Sequence, residues 1–263
     1  MVAVHATAGH SDTHQGIEIR RIFLRDAVDA LREGFEDFMR RPSHYAFLVV
    51  VYPVIGLGLL VWASRGNALH LIYPLVTGFA LLGPFAAIGL YEISRRLEEG
   101  RDASWSYAFE VLNSPALPAI MRLGILLVGV FVLWLMTAQA IYAWTFGDAD
   151  YASFGALVGA ALSSPAGWML IILGNGAGAL FALLVLCTTV VSFPLILDRN
   201  VDVRTAIQAS TDAVSYSPAP MIGWGVMVAG LLFLGALPGL VGLIVVLPVL
   251  GHATWHLYRK VVA

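Results

Sequence analysis

The sequence predicts an all-α fold: a polytopic transmembrane helix bundle of six spans. Of the 263 residues, 59% are hydrophobic and only 12% are charged, about half the charged share of an ordinary soluble domain. The apolar residues gather into runs long enough to cross ~30 Å of hydrocarbon, which takes about 20 helical residues. The basic residues then sort onto one side of those runs. The net charge of −2 says little by itself, and the single cysteine, Cys187, excludes an intrachain disulfide.

Residues 1–16 are polar, with no basic residue and no apolar stretch. They read as a disordered tail rather than a signal peptide. Nothing fixes His5, His10 and His14 in one metal-binding geometry. Residues 17–263 form a single membrane domain that opens with a charged amphipathic helix, 17–42. There Leu24, Val28, Leu31, Phe35 and Phe38 step by four and three, drawing one apolar stripe. Acidic and basic residues cover the remainder, and Pro42 closes the helix. Such a helix lies at the membrane interface or packs on the protein's own surface; a soluble partner is the sharper alternative.

The spans fall at about 45–64, 69–93, 119–144, 170–197, 221–237 and 239–257. Pro74, Gly78, Gly83, Pro84 and Gly89 predict a kinked or broken second span. Breaks of that kind are tolerated only where protein or a water-filled cavity covers the freed backbone groups. Residues 151–162 are apolar but too few to cross, so they read as interfacial or re-entrant. The run 166–197 holds 32 residues, more than a bilayer requires, and must tilt or spend its first turns at the interface. Spans five and six are split by Pro238 and Gly239, with a re-entrant hairpin as the alternative.

Orientation follows from arginine and lysine. With six spans, fourteen of the fifteen basic residues lie on one side and only Arg65 on the other. Basic residues mark the cytoplasmic side, so both termini are expected in the cytoplasm. A repeat reinforces this. Asp26, Asp102 and Asp202 are each followed sixteen residues later by a proline, Pro42, Pro118 and Pro218. Ala30, Ser106 and Ala206 stand four residues after the aspartates. Each aspartate suits a helix start and each proline the break before the next span. The chain reads as three units of cytoplasmic amphipathic helix plus helical hairpin.

Two stretches, GPFAAIGLYEISRRLEEG (83–100) and FPLILDRNVDVRTAIQAS (193–210), resemble a family of bacterial six-span proteins, mainly alphaproteobacterial. The family is catalogued as predicted integral membrane proteins with a domain of unknown function. The resemblance implies an inner-membrane location and carries over no catalytic or binding residues.

Candidate chemistry is sparse. His252 and His256 share one helix face and could supply two metal ligands, but no HExxH motif and no nearby carboxylate accompanies them. Interfacial anchoring beside Trp255 and Tyr258 is the simpler reading. Asn175 lies in a Gly-rich stretch that no strand precedes and no lysine follows, so it is no phosphate loop; it is a candidate to line a polar cavity. Gly174 with Gly178, Gly155 with Gly159, and Gly235 with Gly239 read as helix-packing positions. Glu92, at the end of the broken span, reads as an ion pair with Arg95 and Arg96 or, more sharply, as a gate. Thr137, Gln139, Thr188, Thr189 and Ser192 read as structural hydroxyls and amides.

No catalytic motif is present, and no cofactor or nucleic-acid partner is expected. The expected role is that of a non-enzymatic accessory, assembly or scaffolding component working with other membrane proteins in the lipid bilayer. A transporter or channel for a small solute is the alternative.

Overall fold

The structure, a computed structural model, describes residues 17–40, 56, 58, 61, 69–147, 149–238 and 241–263. The expected tail 1–16, the first span 45–64 apart from residues 56, 58 and 61, Pro42 and Gly239 lie outside those residues. Among the described residues the protein is helical, with one isolated bridge between Ile19 and Val262. Its elements are α1 (Leu24–Arg40), α2 (Ile72–Phe79), α3 (Gly83–Ala86), α4 (Ile88–Glu98), α5 (Leu117–Phe146), α6 (Phe154–Ser163), α7 (Pro165–Thr189), α8 (Ser192–Arg199), α9 (Val203–Tyr216), α10 (Pro218–Ala236) and α11 (Leu243–Val261). Short 3-10 segments occupy Leu69–Leu71, Ala80–Leu82 and Trp105–Asn113.

Among the described residues four helical stretches are long and apolar enough to cross a membrane: Leu69–Glu98, Leu117–Phe146, Pro165–Arg199 and Pro218–Ala236. Their middles are covered by little protein. Ile125 and Met136 on α5, Ile172 and Leu180 on α7, and Val226 and Phe233 on α10 are each exposed by more than half. Apolar side chains presented all round long helices form a lipid-facing belt.

The second span is broken, as its prolines and glycines imply. It runs through a 3-10 segment, α2, a second 3-10 segment, α3 and α4. Protein covers the break: the Trp134 indole N–H donates to the Pro74 carbonyl at 2.8 Å. Phe85 lies where a side chain on Gly124 would stand.

The fourth apolar run departs from expectation. It does not tilt as one rod over 170–197. α7 stops at Thr189 and the chain turns through Val190 and Val191 into α8. Pro194 supplies the reason, since its nitrogen cannot bond the Val190 carbonyl and its ring crowds that turn. Ser192 instead bonds the carbonyls of Thr188 at 2.6 Å and Ala206 at 2.9 Å. The final turns therefore enter the core, where Phe193, Leu195 and Ile196 are fully buried. Asn200, with φ 51°, ends α8 in the left-handed region, and the Asp202 carboxylate caps α9 by accepting from the Thr205 N–H at 3.3 Å.

The short apolar stretch 151–162 is a helix, α6, that folds back on α7. Ser164 caps α7 by accepting from the Gly167 N–H at 3.0 Å. A Cβ on Gly167 would lie 2.1 Å from the Ala161 carbonyl oxygen, so this corner requires glycine.

The last helix begins at Leu243 rather than 239, and it is not among the four span-like stretches. Its second half is buried in protein: Ala253, Leu257, Tyr258 and Val261 are at 0% exposure. The three expected repeat units also differ. The first and third contain the helices α1 and α9, whereas the second folds as the 3-10 segment Trp105–Asn113. Asp202 is a helix cap, Asp102 accepts from the Ser104 N–H at 3.2 Å in a turn, and Asp26 lies inside the first turn of α1. Ala30 and Ala206 are buried, but Ser106 is exposed.

The core sits at one end of the molecule. Trp255, Tyr91, Tyr258, Phe193, Ile120 and Leu123 are its largest fully buried residues. This end collects α1, α4, α8, α9, the starts of α5 and α10 and the finish of α11, and is called the basic end below for Arg95, Arg96, Arg199, Arg204, Arg259 and Lys260.

Candidate functional site

The densest polar constellation joins α1, α4, α8 and α11 at the basic end. It begins with a close approach of backbones. α1 buries its small face, Ala27, Ala30 and Gly34, with Asp37 next in line. A Cβ on Gly34 would stand 2.4 Å from the Ala253 nitrogen. The apolar stripe read from the sequence is not the packed face: Leu24, Val28 and Phe35 are about half exposed, with Leu31 and Phe38 partly buried at its edge.

That approach places the α1 carboxylates on α11. Asp37 Oδ2 is 2.8 Å from His256 Nε2 and accepts from the Ser94 hydroxyl at 2.8 Å. Ser94 Oγ lies 2.6 Å from His252 Nδ1. Since Ser94 donates its one proton to Asp37, His252 Nδ1 must carry the hydrogen of the second contact. Glu33 accepts from Lys260 at 2.8 Å and faces His256 Nδ1 at 3.5 Å. Burial alone would raise the Asp37 carboxyl. The His256 hydrogen bond and charge, the Ser94 bond and the His252 charge outweigh it, and hold this group below its ordinary value.

α4 and α8 complete the clasp. Glu98 accepts from the Trp255 indole N–H and from Arg259 Nε, both at 3.0 Å. Asp198 accepts from the Tyr258 hydroxyl at 2.6 Å. Burial, then that carboxylate, pushes the tyrosine hydroxyl up, so it remains a donor. Arg199 reaches the Ala263 carbonyl. Backbone bonds from Arg20 to Val261 and from Ala263 to Glu18 close the end.

His252 and His256 are therefore not interfacial anchors. His252 is fully buried, and both histidines are matched to a carboxylate and a hydroxyl from distant chain. Asp37 is 219 residues from His256 in sequence, which is why inspection of GHATWHLY alone found no carboxylate beside them. Among the described residues no group of three or more metal-ligating side chains converges.

Glu92 lies next to this clasp, with Arg95 Nη2 at 2.5 Å and Arg96 Nε at 2.7 Å. Arg96 also meets Glu110 and the Asp102 carbonyl, and stacks over the Tyr107 ring at 3.8 Å. A buried carboxylate with two guanidinium partners braces α4 against the 3-10 segment.

The remaining sequence candidates separate. Asn175 accepts from the Tyr73 hydroxyl at 2.7 Å and donates to the Ile171 carbonyl at 2.8 Å, tying α7 to the broken span. Gly178 packs on Trp134; among the described residues nothing lies within 4 Å of where a Cβ would stand on Gly174 or Gly159, and Gly155 meets only its own turn. Gly235 is a true close approach: Gly242, Leu243 and Val246 all lie within 3.3 Å of where its Cβ would stand. Sequence reading missed Gly34, Gly78, Gly124 and Gly251, each of which meets another element within 2.7 Å. Helical spacing of small residues on α1 was the available signal for Gly34.

At the opposite end a small cavity of about 190 Å³ is bordered by His70, Tyr142, Asp150 and Tyr151. His70 stacks on Tyr142 at 4.1 Å and meets Gln139 at 2.5 Å, and the Tyr142 hydroxyl donates to the Ala149 carbonyl at 2.6 Å.

No curated protein and no solved structure gives a significant match. Residues 72–198, from the broken span to the end of α8, match the family model described as Predicted integral membrane protein (DUF2189), and the protein is an integral membrane protein that carries this region.

Proposed function

We propose that this is a non-enzymatic accessory or scaffolding component of an inner-membrane complex, with six spans and both termini in the cytoplasm. The observation that carries this reading is the commitment of its ionisable side chains to bracing. Glu33, Asp37, Glu98 and Asp198 all hold α11 in place, and Glu92 holds Arg95 and Arg96. Groups spent in this way give a rigid end rather than a reactive one.

The polar groups within the spans support the same reading. Thr137, Thr188 and Thr189 bond carbonyls of their own helices, and Asn175 is engaged by Tyr73. The broken second span is where a gate would be sought, and Trp134 and Phe85 fill that place, which weighs against the transport alternative. Among the described residues nothing lies within 4 Å of where a Cβ would stand on Gly174 or Gly230, and small residues at such positions on α7 and α10 admit another protein's span.

Affinity purification from membranes in mild detergent, with quantitative mass spectrometry of the co-isolated proteins, tests the proposal. A membrane protein recovered at stoichiometric level, and lost on Gly174→Leu, is the expected outcome. Recovery of the chain alone would overturn it.

A further inference from the structure

The basic end carries apolar surface that the clasp does not use. On α1, Leu24, Val28, Phe35 and Met39 are exposed by 55%, 50%, 48% and 58%, and Phe23 just before it by 58%. On the 3-10 segment, Trp105, Phe109 and Leu112 are exposed by 37%, 41% and 62%. Two elements far apart in sequence thus present the same feature at the same end.

Their heights agree. Gly34 of α1 rests on Ala253, and Leu90 of α4 rests on Gly251. On the adjacent Gly89, a Cβ would stand 3.0 Å from Ala108 of the 3-10 segment. Both elements therefore sit level with residues 251–253 of α11.

The direction of α1 is also fixed. Glu33, from its charged side, bonds Lys260 in the last turn of α11. Leu24, from its apolar stripe, reaches Gly223, more than a turn inside α10. The charged side thus faces out along the bundle axis, and the stripe faces back toward the lipid belt, where Ile222 and Val226 are half exposed or more. The stripe continues that belt.

We infer that α1 and the 3-10 segment Trp105–Asn113 form a collar immersed in one lipid leaflet at the basic end, at the boundary of headgroups and acyl chains. The occupant of the exposed stripe is lipid. Segregation of an apolar stripe from a charged face is what a helix lying in that boundary requires, and tryptophan is at home at the same depth. The collar sets the membrane level at Gly251–Ala253 and leaves the last turns of α11 above it.

The test uses the full-length protein in vesicles, with Cys187→Ser removing the native thiol. An environment-sensitive fluorophore is attached to single cysteines at Val28, Phe35, Phe109 or Leu112, with Asp29 and Glu36 as charged-face controls and Leu180 as a mid-span control. Labelled proteins that elute as one symmetric detergent peak are reconstituted with lipids spin-labelled near the headgroup or deep in the chain. Collar positions should emit to the blue of the charged-face controls and be quenched about twofold more by the shallow label than by the deep one, whereas Leu180 should be quenched more by the deep label. Quenching of Val28 and Phe35 by aqueous iodide instead of lipid would overturn the inference. So would protection from both quenchers, which marks a protein partner or a second copy on the stripe, and so would a depth equal to that of Leu180.

Discussion

Asp37 Oδ2 sits 2.8 Å from His256 Nε2, and the two residues are the point at which the start and the finish of the chain are joined. The contact exists because Gly34, one turn earlier, lets α1 touch the Ala253 backbone. A small face and a polar face on one helix thus act together: the first sets the distance and the second uses it.

The pair should couple energetically. Asp37→Ala leaves His256 and Ser94 without their shared acceptor in a buried place and should cost ~3 kcal/mol. A double-mutant cycle with His256→Ala, read by thermal unfolding in detergent, should return a coupling of ~1–2 kcal/mol. Additive single effects would show that the contact is incidental.

Acidification follows from the same carboxyl. Its value in the folded protein lies below the ordinary 3.8, so the unfolded chain takes up this proton first. The stabilisation is therefore complete above 3.8 and is lost as pH falls through the lower folded value. Glu33, Arg40, His252 and His256 face the group. The stability gap between the parent and Asp37→Asn should persist from neutral pH to about pH 4 and close only below it. A gap that closes nearer neutrality would assign the effect to another group.

Two glycines should respond oppositely to alanine. At Gly34 the new Cβ meets Ala253 backbone at 2.4 Å, which no side-chain rotation relieves; Gly34→Ala should cost ~2 kcal/mol. At Gly174 nothing lies within 4 Å, so Gly174→Ala should remain within ~0.5 kcal/mol of the parent. Unfolding midpoints of the two variants in one detergent decide this.

Trp134 should control the broken span. Trp134→Phe stays aromatic but removes the N–H that serves the Pro74 carbonyl, leaving of its side-chain donors only the Thr77 hydroxyl at 3.4 Å, and should cost ~1 kcal/mol. Hydrogen exchange over 75–86 should quicken while exchange in α9 is unchanged.

Much of the architecture was legible in the sequence, because bilayers impose length and composition. The broken second span followed from its prolines and glycines, and the all-helical membrane character from the apolar runs. The regularity implied by Asp26, Asp102 and Asp202 was less informative: one caps a helix, one makes a turn and one sits within a helix. The α1 stripe was legible, but the helix packs on protein through its small face, Ala27, Ala30 and Gly34, and leaves the stripe largely exposed. Hydrophobicity marks what leaves water, and lipid and protein interior satisfy it equally. The clasp was hidden for a different reason, since Asp37, Ser94 and His252 meet only across long stretches of chain.

The clasp at one end and the acidic, cation-free loop at the other should face opposite compartments. Single cysteines at Asp212 on α9 and at Asp150 after α5, in the Cys187→Ser background, separate the two ends. In right-side-out spheroplasts a membrane-impermeant maleimide should label position 150 at once and position 212 only after permeabilisation. Labelling of 212 in intact spheroplasts, or protection of 150 until they are opened, would reverse the orientation and with it the placement of the clasp in the cytoplasm.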